Sequence, residues 1–138
     1  MEQRQVNPYA LWLTSIEGVG DKTIKALMRR VSGAEEVYHM TEEEIRLCLS
    51  ETMKKQTDVV KKASQIEKAK RESPEEQLAE LAGKGIGFVS VEDGFFPKRL
   101  RDIPDCPYGI YYIGDLPPED RPSVAVIGAR NCSGYGRE

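Results

Sequence analysis

Apolar residues recur at helical spacing along the first 83 residues of the chain. The spacing predicts helices that begin near Pro8, Asp21, Thr41, Asp58 and Ser73. Thr41, followed three residues later by Glu44, has the sequence of a capping box, and Ser73 combines an N-cap with a proline at the first helical position. Gly33 and Gly83 are the predicted ends of the second and fifth helices.

The remaining residues alternate short apolar runs with turns. Strands are predicted over 88–91, 110–113 and 124–127, with one or two helical turns over 97–101. The run 124–127 is almost continuously apolar, which is typical of a strand buried in a parallel sheet. The first 82 residues hold only three of the 12 glycines and two of the eight prolines. The predicted fold class is therefore α+β, with a helical domain over 1–72 and a second domain over 73–138.

Composition excludes several classes of protein. Twenty Lys and Arg against 23 Asp and Glu give a net charge of −3, so the chain as a whole is not a polycation. No apolar run approaches the roughly 20 residues of a membrane span, and the first residues lack the apolar stretch of a secretory signal. Three widely spaced cysteines and one histidine predict reduced thiols, a cytoplasmic protein, and neither a metal site nor a catalytic triad. No catalytic residue and no cofactor is predicted.

A glycine-containing turn joins the first two helices. Gly18 and Gly20 flank one apolar residue, and Lys22 and Lys25 follow on the next helix. This is the helix-hairpin-helix pattern, in which N–H groups at the start of a helix bind a phosphate. The turn is a candidate DNA contact; the alternative is a plain helix connection with solvated lysines.

A second basic feature lies between residues 54 and 71. This stretch contains seven basic and two acidic residues. A row of positive charge can follow a phosphate backbone, although such runs are commonly solvated helix faces.

The strongest candidate for chemistry is the loop after the third predicted strand. Small residues are frequent there, as expected for a phosphate-binding loop at the carboxyl end of a strand. The candidate phosphate-binding residues are Gly128, Arg130, Ser133, Tyr135 and Gly136. The loop matches neither the dinucleotide fingerprint, because Arg130 stands where the second glycine belongs, nor a P-loop.

Several motifs together resemble the DNA-processing protein A family (DprA, also called Smf). They are Phe96-Pro97-x-x-Leu100, the stretch from Ile103-Pro104-Asp105-Cys106-Pro107 to Tyr111-Tyr112-Ile113-Gly114, Val124 to Arg130 with Ser133-Gly134-Tyr135-Gly136, and, near the start, Tyr9 to Leu13 with Gly18-Val19-Gly20. The resemblance extends from about residue 8 to the last residue.

The resemblance implies a bacterial single-stranded DNA binder without enzyme activity. Such a protein protects incoming DNA in natural transformation, loads a RecA-type recombinase onto it, and forms a homodimer. The implied fold is a sterile-alpha-motif-like or helix-hairpin-helix domain followed by the first strands of a truncated Rossmann-like domain. The five residues of the candidate loop would hold a DNA phosphate.

Two alternatives from other classes stay open. One is a nucleotide-phosphoribohydrolase-like Rossmann enzyme, which uses a similar glycine-rich loop but requires a catalytic acid and base. The other is a helical protein-interaction module that makes no contact with DNA.

Overall fold

The computed structural model describes residues 5–137, and it combines helices with a small two-stranded sheet. The elements are α1 (Pro8–Ser15), α2 (Asp21–Met28), α3 (Ala34–His39), α4 (Glu42–Ser50), α5 (Gln56–Ala69), α6 (Pro74–Gly83), β1 (Gly87–Ser90), α7 (Lys98–Arg101), β2 (Gly109–Tyr112) and a short 3₁₀ helix, Tyr135–Arg137. The predicted change from helices to strands after Gly83 is confirmed. None of the helices within residues 5–137 is both long and apolar enough to cross a bilayer.

Side-chain caps fix the starts of several helices. Asn7 Oδ1 accepts from Tyr9 N at 3.0 Å ahead of α1, and Ser73 Oγ accepts from Glu76 N at 3.3 Å ahead of α6. The predicted capping box of α4 is present: Thr41 Oγ1 accepts from Glu44 N at 3.2 Å, and Thr41 N donates to Glu44 Oε2 at 2.7 Å. These bonds satisfy amide groups that a helix start otherwise leaves without a partner.

Replacing Thr41 with alanine tests the capping box. The substitution removes the acceptor for Glu44 N and should lower the free energy of unfolding by about 1 kcal/mol, within the usual range of about 0.5–2 kcal/mol. Urea denaturation of the two proteins measures the difference. Thr57→Ala on the exposed surface of α5 is the matched control. Equal destabilisation by both variants would contradict a specific role for the cap.

Two predicted helix boundaries were wrong. The second helix ends at Met28 and not at Gly33, and the separate helix α3 begins directly after Gly33. Helix α5 begins at Gln56 with Lys55 as its N-cap, so Asp58 lies inside the first turn. Its carboxylate is placed where the helix dipole favours negative charge, without being the cap itself.

The centre of the core is α1. Ala10, Leu11, Trp12 and Leu13 are all buried, so this helix is covered on every side. It contacts α2, α3 and α6 as well as both strands. A short helix that is apolar all round is stable only when it is enclosed in this way.

The strands β1 and β2 pair antiparallel, with Gly87 opposite Tyr112 and Ser90 opposite Gly109. A Cβ at residue 109 would lie 2.6 Å from Cζ of Phe88, so β2 can lie this close to the ring only with glycine at that position. Phe88 belongs to the same buried cluster as the helical core residues. The sheet therefore packs on the helical region through α1.

The predicted third strand, 124–127, was wrong. No strand forms there, and the side chains of Val124, Val126 and Ile127 are 88%, 94% and 93% exposed. A buried parallel strand needs a paired neighbour and a covering layer, and within residues 5–137 β1 and β2 pair only with each other. The predicted burial of this run is therefore also wrong, because no element of residues 5–137 covers it.

Candidate nucleic-acid interface

The turn between α1 and α2 has the backbone geometry of a tight hairpin. Gly18 has a φ of 82°, in the left-handed region that favours glycine, and Val19 is buried with its N–H bonded to Ile16 O at 3.1 Å. Gly20 is the N-cap of α2 and provides no side-chain cap. The first turn of α2 therefore keeps N–H groups that no capping side chain occupies, as an anion site requires.

Helix α5 packs against this hairpin. Lys62 Nζ donates to Gly18 O at 2.6 Å, and a Cβ at Gly18 would lie 2.6 Å from Nε2 of Gln65. The hairpin and the basic stretch 54–71, which the sequence presented as separate features, are thus adjacent. The sequence did not predict that Lys62 and Gln65 contact the hairpin. A run of lysines shows where charge lies along the chain, but not which segment it packs against.

Exposed positive side chains lie on α2, which follows the hairpin, and on α5, which contacts it. Lys22 and Lys25 of α2 and Lys61 and Lys68 of α5 are exposed, and none of the four makes an ion pair within the described part of the chain. Helical geometry places Lys61 and Lys68 on the same face of α5, two turns apart. Their charges are available to an external anion.

A cleft of about 440 Å³ opens beside the hairpin, between α1, α5 and α6. The polar side chains lining it are those of Ser15, Glu17, Gln65, Lys68, Glu72 and Gln77. Lys68 gives it one positive group, whereas Glu17 and Glu72 oppose an anion. Phosphate contact is therefore favoured at the exposed lysines of α5 and not inside the cleft.

The candidate loop after residue 127 is only partly assembled. Its five predicted residues are all exposed. Gly136 N donates to Ser133 O at 3.1 Å and lies 3.3 Å from Ser133 Oγ, and Tyr135 begins the 3₁₀ helix. Gly128 and Arg130 precede this turn on an exposed stretch that forms neither helix nor strand. The structure brings Ser133, Tyr135 and Gly136 together, and no hydrogen bond or ion pair in residues 5–137 joins Arg130 to them.

The chain that leads into this loop is held by α7. Arg99 Nη1 donates to Ser123 Oγ at 2.6 Å, and Arg99 Nη2 donates to Arg121 O at 2.7 Å. Glu119 Oε1 accepts from Lys98 N at 2.8 Å at the start of α7. These anchors were not predicted, since the Pro-rich connection 116–122 gives no pattern that pairs it with α7.

The hairpin and the loop are separate in the described structure. No hydrogen bond or ion pair within residues 5–137 links the hairpin to residues 128–136. No three His, Cys, Asp or Glu side chains of the described residues are grouped as metal ligands. The assignment of the nine predicted contact residues to DNA stays a prediction.

Comparison with known proteins bears on the C-terminal part of the chain. Residues 87–138 match the family model described as DNA recombination-mediator protein A. The matched segment holds β1, α7, β2 and the candidate loop, whereas the hairpin precedes it. No curated protein and no solved structure matches the chain. The family resemblance noted from the sequence is confirmed over residues 87–138, which are similar to DNA recombination-mediator protein A.

Proposed function

We propose that the protein is a non-enzymatic recombination mediator that binds single-stranded DNA. It protects incoming DNA and passes it to a RecA-type recombinase. The observation that carries the proposal is the family match over 87–138, which includes the whole candidate loop. The protein acts in the cytoplasm and as a homodimer in this proposal.

The proposed fold assigns each part of the molecule a role. The helical region is a sterile-alpha-motif-like or helix-hairpin-helix module, and β1 and β2 open a Rossmann-like domain. The hairpin geometry and the positive side chains of α2 and α5 support the first assignment. The second is supported by the family match alone.

DNA would be bound through its phosphates, with little reading of base identity. Lysine and arginine side chains interact with any phosphate, whatever base is attached. Arg130 provides a planar, always charged group, which suits a phosphate better than an ammonium does. Lys22, Lys25, Lys61 and Lys68 provide exposed charge on the helical region.

The test is a titration of the protein with oligonucleotides of several sequences and salt concentrations. Affinity should vary little with sequence and fall steeply as salt rises, because each phosphate contact releases a counterion. Arg130→Ala should weaken binding to all sequences and make the slope of log K against log salt shallower by about 0.7. Arg121→Ala, an equally exposed arginine, is the matched control.

Two outcomes would contradict the proposal. A strong sequence preference with a flat salt response would show that bases and not phosphates are recognised. Equal effects of Arg130→Ala and Arg121→Ala would remove the loop from the binding surface.

A further inference from the structure

A turn of two adjacent carboxylates joins the family-matched segment to the helical region. Glu92 and Asp93 lie two and three residues after the last residue of β1, and both accept hydrogen bonds from residues distant in sequence. Asp93 is only 5% exposed, whereas Glu92 lies at the surface. A buried carboxylate such as that of Asp93 is found where it is hydrogen-bonded, so its partners define its role.

Asp93 organises the turn and holds the start of α1. Its Oδ2 accepts from Ser90 N at 2.7 Å and from Ser90 Oγ at 3.1 Å. Its Oδ1 accepts from Asn7 N at 3.1 Å, across 86 residues of sequence. Arg101 of α7 donates to the backbone carbonyl of Asp93 at 2.8 Å, which ties the turn to the rest of the matched segment.

Glu92 reaches three segments at once. Oε2 accepts from Ala34 N at 3.2 Å, at the start of α3, and from the hydroxyl of Tyr108, just before β2. Oε1 accepts from Asn7 Nδ2 at 3.3 Å. Asn7 also caps α1, so its backbone N–H, its amide nitrogen and its side-chain oxygen are all used at this junction.

We propose that the Glu92–Asp93 turn is a carboxylate joint that docks the strand-containing segment on the helical region and sets the orientation of β1 and β2 relative to α1 and α3. The apolar contact of Phe88 with the helical core fixes the distance between the two parts. The hydrogen bonds of the joint fix the orientation of the two parts, because each bond requires a defined angle.

The joint also responds to pH. Burial, with a smaller contribution from the neighbouring Asp93, raises the pKa of Glu92 above its usual value, against the opposing hydrogen bond from Ala34 N. Other charged or titratable groups that contact the joint include Tyr108, whose hydroxyl donates to Glu92, and Arg101 of α7, which donates to the carbonyl of Asp93. A raised pKa in the folded state means that protonated Glu92 favours folding. The net contribution of Glu92 to docking is therefore largest below the unfolded pKa and falls as pH rises through the folded pKa, because the cost of desolvating the ionised carboxylate exceeds the gain from the hydrogen bond of Ala34 N.

Hydrogen exchange on the whole chain tests the joint. Glu92→Ala should raise exchange of the β1 and β2 amides about tenfold or more, while the amides of α5 keep their protection. Gly33→Ala is a second variant, because its Cβ would displace Glu92 Oε1 from α3 while the φ of 178° imposes no strain. Glu43→Ala, on the exposed face of α4, is the control and should leave all exchange rates unchanged.

The pH signature separates the joint from general stability. The difference in strand exchange between the protein and its Glu92→Gln variant should change with pH in the window between the unfolded and the raised folded pKa of Glu92, and nowhere else. Exchange that rises equally in α5 and in the strands would overturn the proposal, as would unchanged strand exchange in both Glu92→Ala and Gly33→Ala. DNA binding is not measured, so failure here leaves the proposed function unaffected.

Discussion

Replacing Trp12 with alanine is expected to lower the free energy of unfolding by about 3–5 kcal/mol, which is the usual range for removing a large buried aromatic side chain. Trp12 is completely buried at the centre of α1. Its indole Nε1 donates to Ala69 O at 2.9 Å, and its ring meets the ring of Tyr38 edge-on at 5.0 Å. Alanine would leave a cavity and remove one of the two hydrogen bonds to Ala69 O, which also accepts from Glu72 N at 3.1 Å. Tyr38 would lose one of its two ring contacts with α1 and keep the one with Tyr9.

Denaturant unfolding followed by far-ultraviolet circular dichroism measures this effect. Since domains of this size commonly have about 5–15 kcal/mol of stability, the loss should bring the midpoint close to physiological conditions. Leu47→Ala is the control, because Leu47 is 65% exposed on α4 and its removal should change little. A loss below about 1 kcal/mol for Trp12→Ala would show that α1 is not the centre of the core.

Local signals predicted most of the helices correctly. The capping box at Thr41 and the Ser73-Pro74 start act within one turn, so the residues that form them are adjacent in sequence. The two observed strands lie within one residue of their predicted ends. The error at Asp58 is also local: α5 begins at Gln56 after Lys55, which provides no side-chain cap.

Contacts between distant segments were not predictable in the same way. The apolar run 124–127 indicated burial, yet burial depends on a neighbouring strand that the pattern cannot specify. Lys62 beside Gly18 and Glu92 beside Ala34 and Asn7 are separated by 44, 58 and 85 residues. A single sequence shows that these residues are polar, and only the fold shows which partner each one has.

The same distinction applies to the candidate site. Glycine spacing alone predicted the hairpin, and the left-handed Gly18 agrees with that prediction. The loop after residue 127 was selected by composition, and the structure groups three of its five residues. The match of residues 87–138 includes the loop and not the hairpin, and the DNA contacts of both stay predictions.

Replacing Phe88 with alanine should undock the strands while the helical region stays folded. Phe88 is 2% exposed, packs beneath Gly109, and lies 5.2 Å from the ring of Tyr111. Phe88 is the large apolar residue of β1 in the buried cluster that also contains the helical core residues. Its removal should therefore lower the free energy of docking the strands on the helices by about 3–5 kcal/mol. Trp12→Ala should instead destabilise both regions, because α1 contacts other helices as well as both strands.

Two probes of the Phe88→Ala variant separate these regions. Hydrogen exchange of the β1 and β2 amides should become much faster. The far-ultraviolet circular dichroism should keep most of its helical signal, because the hydrogen bond of Trp12 to Ala69 O and the contact of Trp12 with Tyr38 do not involve the sheet. Tyr111→Ala removes the half-exposed partner ring and should have a clearly smaller effect. If Phe88→Ala instead unfolds helices and strands in one transition, the two regions form a single cooperative unit. In that case the polar joint at Glu92 would add stability to the whole chain and would not set the orientation of one region on the other.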